Sequence, residues 1–231
     1  MIVIAVHLAR WNMTKTISKT SEELLLKFIP EEALPMVKKW LSEYPVQIRI
    51  VDERKTKAGD YRKAFAGKAP RITINVDPNP YRFLIVLVHE LAHHICYFHY
   101  GNSINPHGRE WKKSFFSLLV QLKNESVFPE EIGQALPDHF SGLRATAAGN
   151  PQIDKILKQM DNGGKTVTYL EDIKENTVFM LENGQTYKKI KKRRVRYLCQ
   201  NLIDKRYYLI SPVVQVYTLD EKEQMGIEQY Y

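Results

Sequence analysis

With 231 residues, 44% hydrophobic and 26% charged, the chain has the balance of an ordinary globular protein, with room for one full core or for one main domain and a small appendage. No apolar run approaches the roughly 20 residues of a membrane-spanning helix. Cys96 and Cys199 are the only cysteines, too few for a disulfide scaffold or a cysteine-rich metal site, and they fit a reducing compartment. The net charge of +8 is clustered, a pattern that attracts polyanions by counterion release.

Residues 1–20 carry little pattern. The opening Met1–Arg10 run is apolar but short. It lacks the basic start and cleavage site of a signal peptide, which places the protein in the cytoplasm. Thr20 and Glu23 have capping-box spacing before Leu24, Leu25, Leu26 and Phe28, which predicts a first helix stopped near Pro30. A second helix is expected over 31–43, with Leu34, Val37, Trp40 and Leu41 at helical spacing and Pro35 acceptable only in a first turn. Alternation predicts strands over 46–51 and 71–76, and the polar stretch 57–70 between them reads as a loop. Asp77–Pro80 starts a long, largely buried helix from Tyr81 to Tyr100, closed by Gly101.

After a loop at 102–106, His107 opens a helix running to about Lys123, with Trp111, Phe115, Leu118, Leu119 and Leu122 on its inner face. Residues 129–148 are irregular, with short helical pieces at most, and Asn150-Pro151 starts a short helix through Met160. Beyond Asn162 the character changes. Strands are expected over 166–170, 177–181, 185–190, 194–199, 206–210 and 213–219, with Asn183-Gly184 as a hairpin turn. The fold class is α+β: a weakly structured segment 1–20, a helical domain with a short sheet over 21–162, a small antiparallel β domain over 163–220, and a tail 221–231. Val195, Tyr197, Leu209, Val213, Val214 and Val216 are the expected core of the β domain, with Cys199 as a small buried hydrophobe.

The chemistry concentrates at His89-Glu90-Leu91-Ala92-His93, an H-E-x-x-H motif inside the apolar helix. Residues i and i+4 lie one above the other on a helix, so both imidazoles can reach one zinc ion, and Glu90 is placed to act as a base on water. Two histidines and a glutamate among Phe83–Val88, Leu91, Ile95 and Cys96 are costly to bury unless a metal pairs them. A catalytic zinc needs a third protein ligand. His94 and His99 lie on other faces of the helix, and His139 is remote. His107 follows a turn that can fold back on the ion and is the favoured donor, with Glu110 its rival.

Several stretches together resemble the SprT-like, Spartan-related zinc metalloproteases: Lys57–Arg62, Ile72–Asn75 with Asn79-Pro80-Tyr81, the His89–His93 motif, and His107-Gly108-Arg109-Glu110-Trp111-Lys112. The resemblance covers roughly residues 20–220. It implies a zincin-type catalytic domain, one zinc per chain held by His89, His93 and His107, Glu90 as general base, and protein substrates bound to or crosslinked on DNA. Family members often carry a four-cysteine zinc ribbon after this domain. Cys199 stands where that ribbon begins and no other cysteine follows, so no second zinc is expected. Residues 1–12 fall outside the resemblance, and Met13 offers an alternative start. Tyr61, Arg62 and Arg109 are candidate oxyanion stabilisers because they lie in the matched motifs.

The basic run Lys188, Lys189, Lys191, Lys192, Arg193, Arg194 and Arg196 lies on strand-like sequence and is the expected DNA-binding stripe, touching phosphates rather than bases. Arg54, Lys55, Lys57, Arg62, Lys63, Lys68 and Arg71 form a looser second group. The rival reading is a non-catalytic, zinc-stabilised module that binds nucleic acid or protein. The retained Glu90 argues against it, because a structural site needs no base.

Overall fold

The computed structural model describes residues 2–4, 19–54, 56–137, 139, 150–163 and 167–218. The chain forms two compact units, Met1–Asp161 and Asn162–Tyr231. Among the described residues the fold is mixed α+β, with six α-helices and two sheets. No helix among them is long and apolar enough to cross a membrane.

The first unit holds β1 (Ile2–Ile4), α1 (Lys19–Leu25), α2 (Leu34–Glu43), β2 (Gln47–Val51), β3 (Gly59–Arg62), β4 (Arg71–Asn75), α3 (Pro80–Tyr100), α4 (Arg109–Asn124), α5 (Glu130–Ala135) and α6 (Pro151–Asp161). Its sheet runs in the order β1-β2-β4-β3, with β2 and β4 parallel and both outer strands antiparallel to their neighbours. Alternation in β2 and β4 aligns Ile48 with Ile72 and Ile50 with Ile74, all buried on one face. α3 is apolar on nearly every side, so it lies at the centre of the core. Against it collect Val37, Trp40 and Leu41 of α2, Trp111, Phe115 and Leu122 of α4, and Ile153 and Leu157 of α6.

Asn79 caps α3: its Oδ1 accepts from the backbone N–H groups of Tyr81 and Arg82, both at 3.1 Å. Its Nδ2 donates to Asp161 Oδ1 at 2.7 Å, which ties the end of α6 to the start of α3. Pro35 sits in the first turn of α2, where its missing N–H costs nothing.

Two expectations change here. Ile2–Ile4, in a segment the sequence leaves unstructured, pair with Ile48–Ile50 as an edge strand. Within the stretch read as a loop, Gly59–Arg62 form the edge strand β3. Its polar side chains hide it, because it is pinned by tertiary bonds rather than by an apolar pattern. Arg54 pairs with Asp60 and donates to Asn75 Oδ1 at 2.7 Å, while Asn75 Nδ2 donates to the Lys57 carbonyl at 3.0 Å.

The second unit is a five-stranded antiparallel sheet of β5 (Val178–Met180), β6 (Thr186–Arg193), β7 (Arg196–Asn201), β8 (Tyr207–Ile210) and β9 (Tyr217–Thr218), ordered β8-β7-β6-β5-β9. Gly184, at φ 80°, closes the hairpin between β5 and β6, as the Asn-Gly pair predicts. The expected strand at 166–170 is reduced to a bridge between Tyr169 and Gln215, with Thr166 outside the described residues. Leu170, Ile173, Phe179, Tyr187, Tyr197, Cys199 and Val216 form the core. Val195 (68% exposed) and Leu209 (52% exposed) do not belong to it. Val195 lies in the β6–β7 turn, and Leu209 pairs with Leu198 one residue out of step with the buried row of Tyr197 and Cys199.

Lys189 also departs from expectation. It pairs with Cys199 in register and is 3% exposed. Its Nζ donates to the carbonyls of Leu170 (2.7 Å) and Ile173 (2.6 Å) and lies 3.9 Å from the centre of the Tyr197 ring. An ammonium that satisfies otherwise orphaned carbonyls and rests on an aromatic face staples the 170–173 turn to the sheet. It therefore does not belong to the exposed basic face on which DNA binding is expected.

Candidate metal centre

α3 sets His89 and His93 one turn apart on one face. The third imidazole arrives from the turn before α4. Gly108 N–H donates to the Asn105 carbonyl at 2.9 Å, and His107 adopts φ 59°. That left-handed backbone costs on the order of 1 kcal/mol for a residue with a side chain. It also keeps His107 out of the helix it was expected to open, since α4 begins only at Arg109 behind an extended Gly108. A Cβ on Gly108 would lie 2.9 Å from the Asn105 carbonyl oxygen, so the turn requires glycine.

The Nε2 atoms of the three rings form a closed triangle: His89–His93 3.3 Å, His93–His107 3.0 Å and His107–His89 3.2 Å. Donors about 2.0–2.1 Å from one tetrahedral ion lie about 3.3 Å apart, so the spacing fits a shared cation. Burial, reinforced by the mutual proximity of the rings, pushes His89 down to about 3 and His93 to about 4; burial also lowers His107. All three are then neutral at pH 7, the form that ligates a metal. His89, His93 and His107 can together hold a metal ion.

The other candidate donors lie elsewhere. Glu110 lines a separate hollow with His99 and Arg109. His94 Nδ1 lies 3.1 Å from the Tyr61 hydroxyl, and His99 Nε2 lies 3.2 Å from that of Tyr44. His139 is exposed.

Glu90, one residue past His89, is rotated about 100° around the helix. It is buried beneath β3. A Cβ on Gly59 would meet both Glu90 Oε1 and Val86 Cγ1 at 2.8 Å, so the strand passes directly over the carboxyl group. Burial, then the charge of Asp60, pushes Glu90 up to about 7; a backbone hydrogen bond from Tyr61 and the cations Lys57 and Arg54 act the other way. Asp60 itself is buried enough to raise its pKa, but hydrogen bonds from Arg54 and Lys57 hold it below the usual range.

Gly59→Ala should therefore lower stability by about 1–3 kcal/mol through overpacking, with the metal retained. Urea unfolding beside metal analysis measures this. Unchanged stability would place the strand farther from Glu90 than the structure does.

Trp111, fully buried, forms the floor of the centre, with ring centroids 4.6, 5.3 and 4.7 Å from His89, His93 and His107. Phe115 stacks beneath it at 4.9 Å. The inner-face reading of α4 includes Trp111 but not this role; its position one helical turn after His107 is the signal that could have revealed it. The Tyr61 hydroxyl lies 3.1 Å from His94 Nδ1, and Tyr61 lines a hollow together with His93; Arg109 is exposed, and Arg62 is exposed and pairs with Asp60 at 3.3 Å.

The histidines make the metal-free protein acid-sensitive. Burial lowers His89, His93 and His94 from 6.5 to about 3, 4 and 4. The stability they carry is present above the unfolded pKa and is lost as pH falls through the folded values. Glu90 runs the other way: raised from 4.5 to about 7, it favours the fold below 4.5 and ceases to do so as pH rises through 7. Three imidazoles outweigh one carboxyl. The metal-free protein should lose on the order of 2 kcal/mol per pH unit between pH 6.5 and 4.5, read by urea unfolding. Stability that holds or rises over that window would contradict the burial of these rings.

The cations of the second unit divide by position. Lys191, Lys192, Arg193, Arg194 and Arg196 are exposed around the β6–β7 turn, Lys188 is half-buried, and Lys189 is inside. In the looser group, Arg54, Lys57 and Arg62 converge on Asp60, and Lys55 lies outside the described residues. No protein-family model, curated protein or solved structure matches this chain.

Proposed function

We propose that the chain is a zinc-dependent metallopeptidase of the zincin type, with His89, His93 and His107 as ligands and Glu90 as general base. The observation that carries this reading is the triangle of neutral imidazole nitrogens, at most 3.3 Å on a side, next in sequence to a buried glutamate. An all-histidine set of three leaves one tetrahedral position for water or substrate, whereas a structural zinc is closed by four protein ligands. The SprT-like motifs support the same assignment.

When bound, zinc supplies a Lewis acid that polarises the scissile carbonyl and brings the pKa of the attacking water to about 7. With the metal in place, Glu90 would hold the proton of the attacking water and pass it to the leaving amine. Its environment suits both steps: burial raises its basicity, while Lys57 and Arg54 keep it ionisable near neutrality. β3, an edge strand of its sheet among the described residues, offers backbone groups to which an extended peptide can add as a further strand. Trp111 and Phe115 keep water from the back of the ligand rings. The reading is tested by histone cleavage in the presence and absence of a chelator; cleavage indifferent to chelation would refute it.

DNA-bound protein is the substrate class we assign, on the strength of the exposed cations around the β6–β7 turn. Replacing Lys191, Arg193, Arg194 and Arg196 with Ser, with Lys189 left in place to preserve the fold, should weaken binding to single- and double-stranded DNA alike. The salt dependence should become shallower by about 0.7–0.9 in log–log slope for each phosphate that is no longer neutralised. Anisotropy titrations at several salt concentrations measure both. If the parent protein shows no DNA affinity even at about 50 mM salt, the cations serve only as a solvated surface.

A further inference from the structure

We infer that the pocket beside His93 selects the substrate: it takes a bulky apolar side chain next to the scissile bond, with an acidic residue following at its rim. This rests on the peptidase reading. A cavity of about 640 Å³ is lined in part by His93 and Trp111, so it adjoins the metal centre. That volume lies within the range of about 300–1,000 Å³ typical of ligand sites.

Its walls are apolar. Tyr61, Phe65, Tyr97, Ile104, Pro106 and Trp111 line it, with the Tyr61 and Tyr97 rings in tilted contact at 6.3 Å between centroids. A leucine or phenylalanine side chain is desolvated favourably against such a lining. The lining includes no aspartate or glutamate. A lysine or arginine side chain would enter with no counter-ion, which is costly.

The rim is cationic. Lys63 Nζ is held by Asn102 Oδ1 at 2.8 Å and lies 6.0 Å from the Tyr97 ring, which fixes its charge at the mouth. Arg62 stands beside it, 66% exposed. Its carboxylate partner Asp60 is shared with Arg54 and Lys57, so one anion faces three cations and the mouth stays positive. An acidic neighbour in the substrate completes that balance.

The test uses the zinc-loaded Glu90→Gln protein, which should hold peptides without cleaving them. Matched peptides carry Phe, Leu, Gly or Lys at one position and Asp or Lys at the next, and Kd is read by fluorescence anisotropy. Phe and Leu should bind at least 10-fold more tightly than Gly, with Lys weakest. Tyr97→Ala should shrink the Phe preference to less than about 3-fold. Lys63→Glu, a surface change that leaves the walls intact, should keep the Phe preference and reverse the choice between Asp and Lys. Equal affinity for the Phe and Gly peptides, or a preference indifferent to both substitutions, would overturn the pocket. Casein hydrolysis by the zinc-loaded wild type separates the two claims. Hydrolysis without a Phe preference sinks the pocket alone, and a Phe preference without hydrolysis sinks the peptidase reading alone.

Discussion

Glu90→Gln should lower peptide hydrolysis by about 10²–10⁴-fold and leave zinc at one ion per chain. Glutamine has nearly the same shape, and its oxygen can still accept the backbone hydrogen bond that Tyr61 gives to Glu90. What it cannot do is take a proton. Because the substitution also removes a buried charge, stability should hold or rise slightly above pH 7, where the carboxyl of Glu90 is otherwise forced to ionise under β3. Turnover, metal content and urea unfolding of one preparation separate the outcomes. Unchanged turnover would refute the base assignment, and lost metal would mean that Glu90 ligates rather than catalyses.

His107→Ala should weaken zinc binding by more than about 100-fold, since substitutions of groups that merely support a ligand already cost about 10–100-fold. Glu110→Ala should leave zinc in place, because Glu110 lies outside the triangle. The opposite pattern would transfer the third ligand position to Glu110. His107→Ala does not relieve the left-handed backbone, since alanine tolerates φ 59° no better than histidine. The loss should therefore be one of metal rather than of fold, and circular dichroism of the metal-free variant checks it.

The sequence makes α3 legible because its apolar run is long and its cap, Asn79, and its end, Gly101, are both marked. β2 and β4 are legible because apolar and polar residues alternate along both, although only β2 alternates in burial and β4 is buried from Ile72 to Asn75. β3 carries no such signal: Gly-Asp-Tyr-Arg is polar, and its position depends on Arg54 and Asn75. The close approach over Glu90 could be suspected only from Gly59. The spacing of His89 and His93 is local and readable. His107 joins them through a turn whose left-handed residue is invisible to helical periodicity, so periodicity starts the helix two residues early. Lys189 resembles its neighbours in sequence because a basic run does not reveal which member turns inward. A bulge between Lys189 and Lys191 then shifts the alternation that a stripe assumes.

The most direct test of the central claim is a zinc titration of the chelator-stripped protein, with casein hydrolysis followed at each step. Hydrolysis should be absent without metal, rise linearly with added zinc, and level off at one equivalent per chain. Full zinc occupancy without hydrolysis, or hydrolysis that persists without metal, would contradict the account.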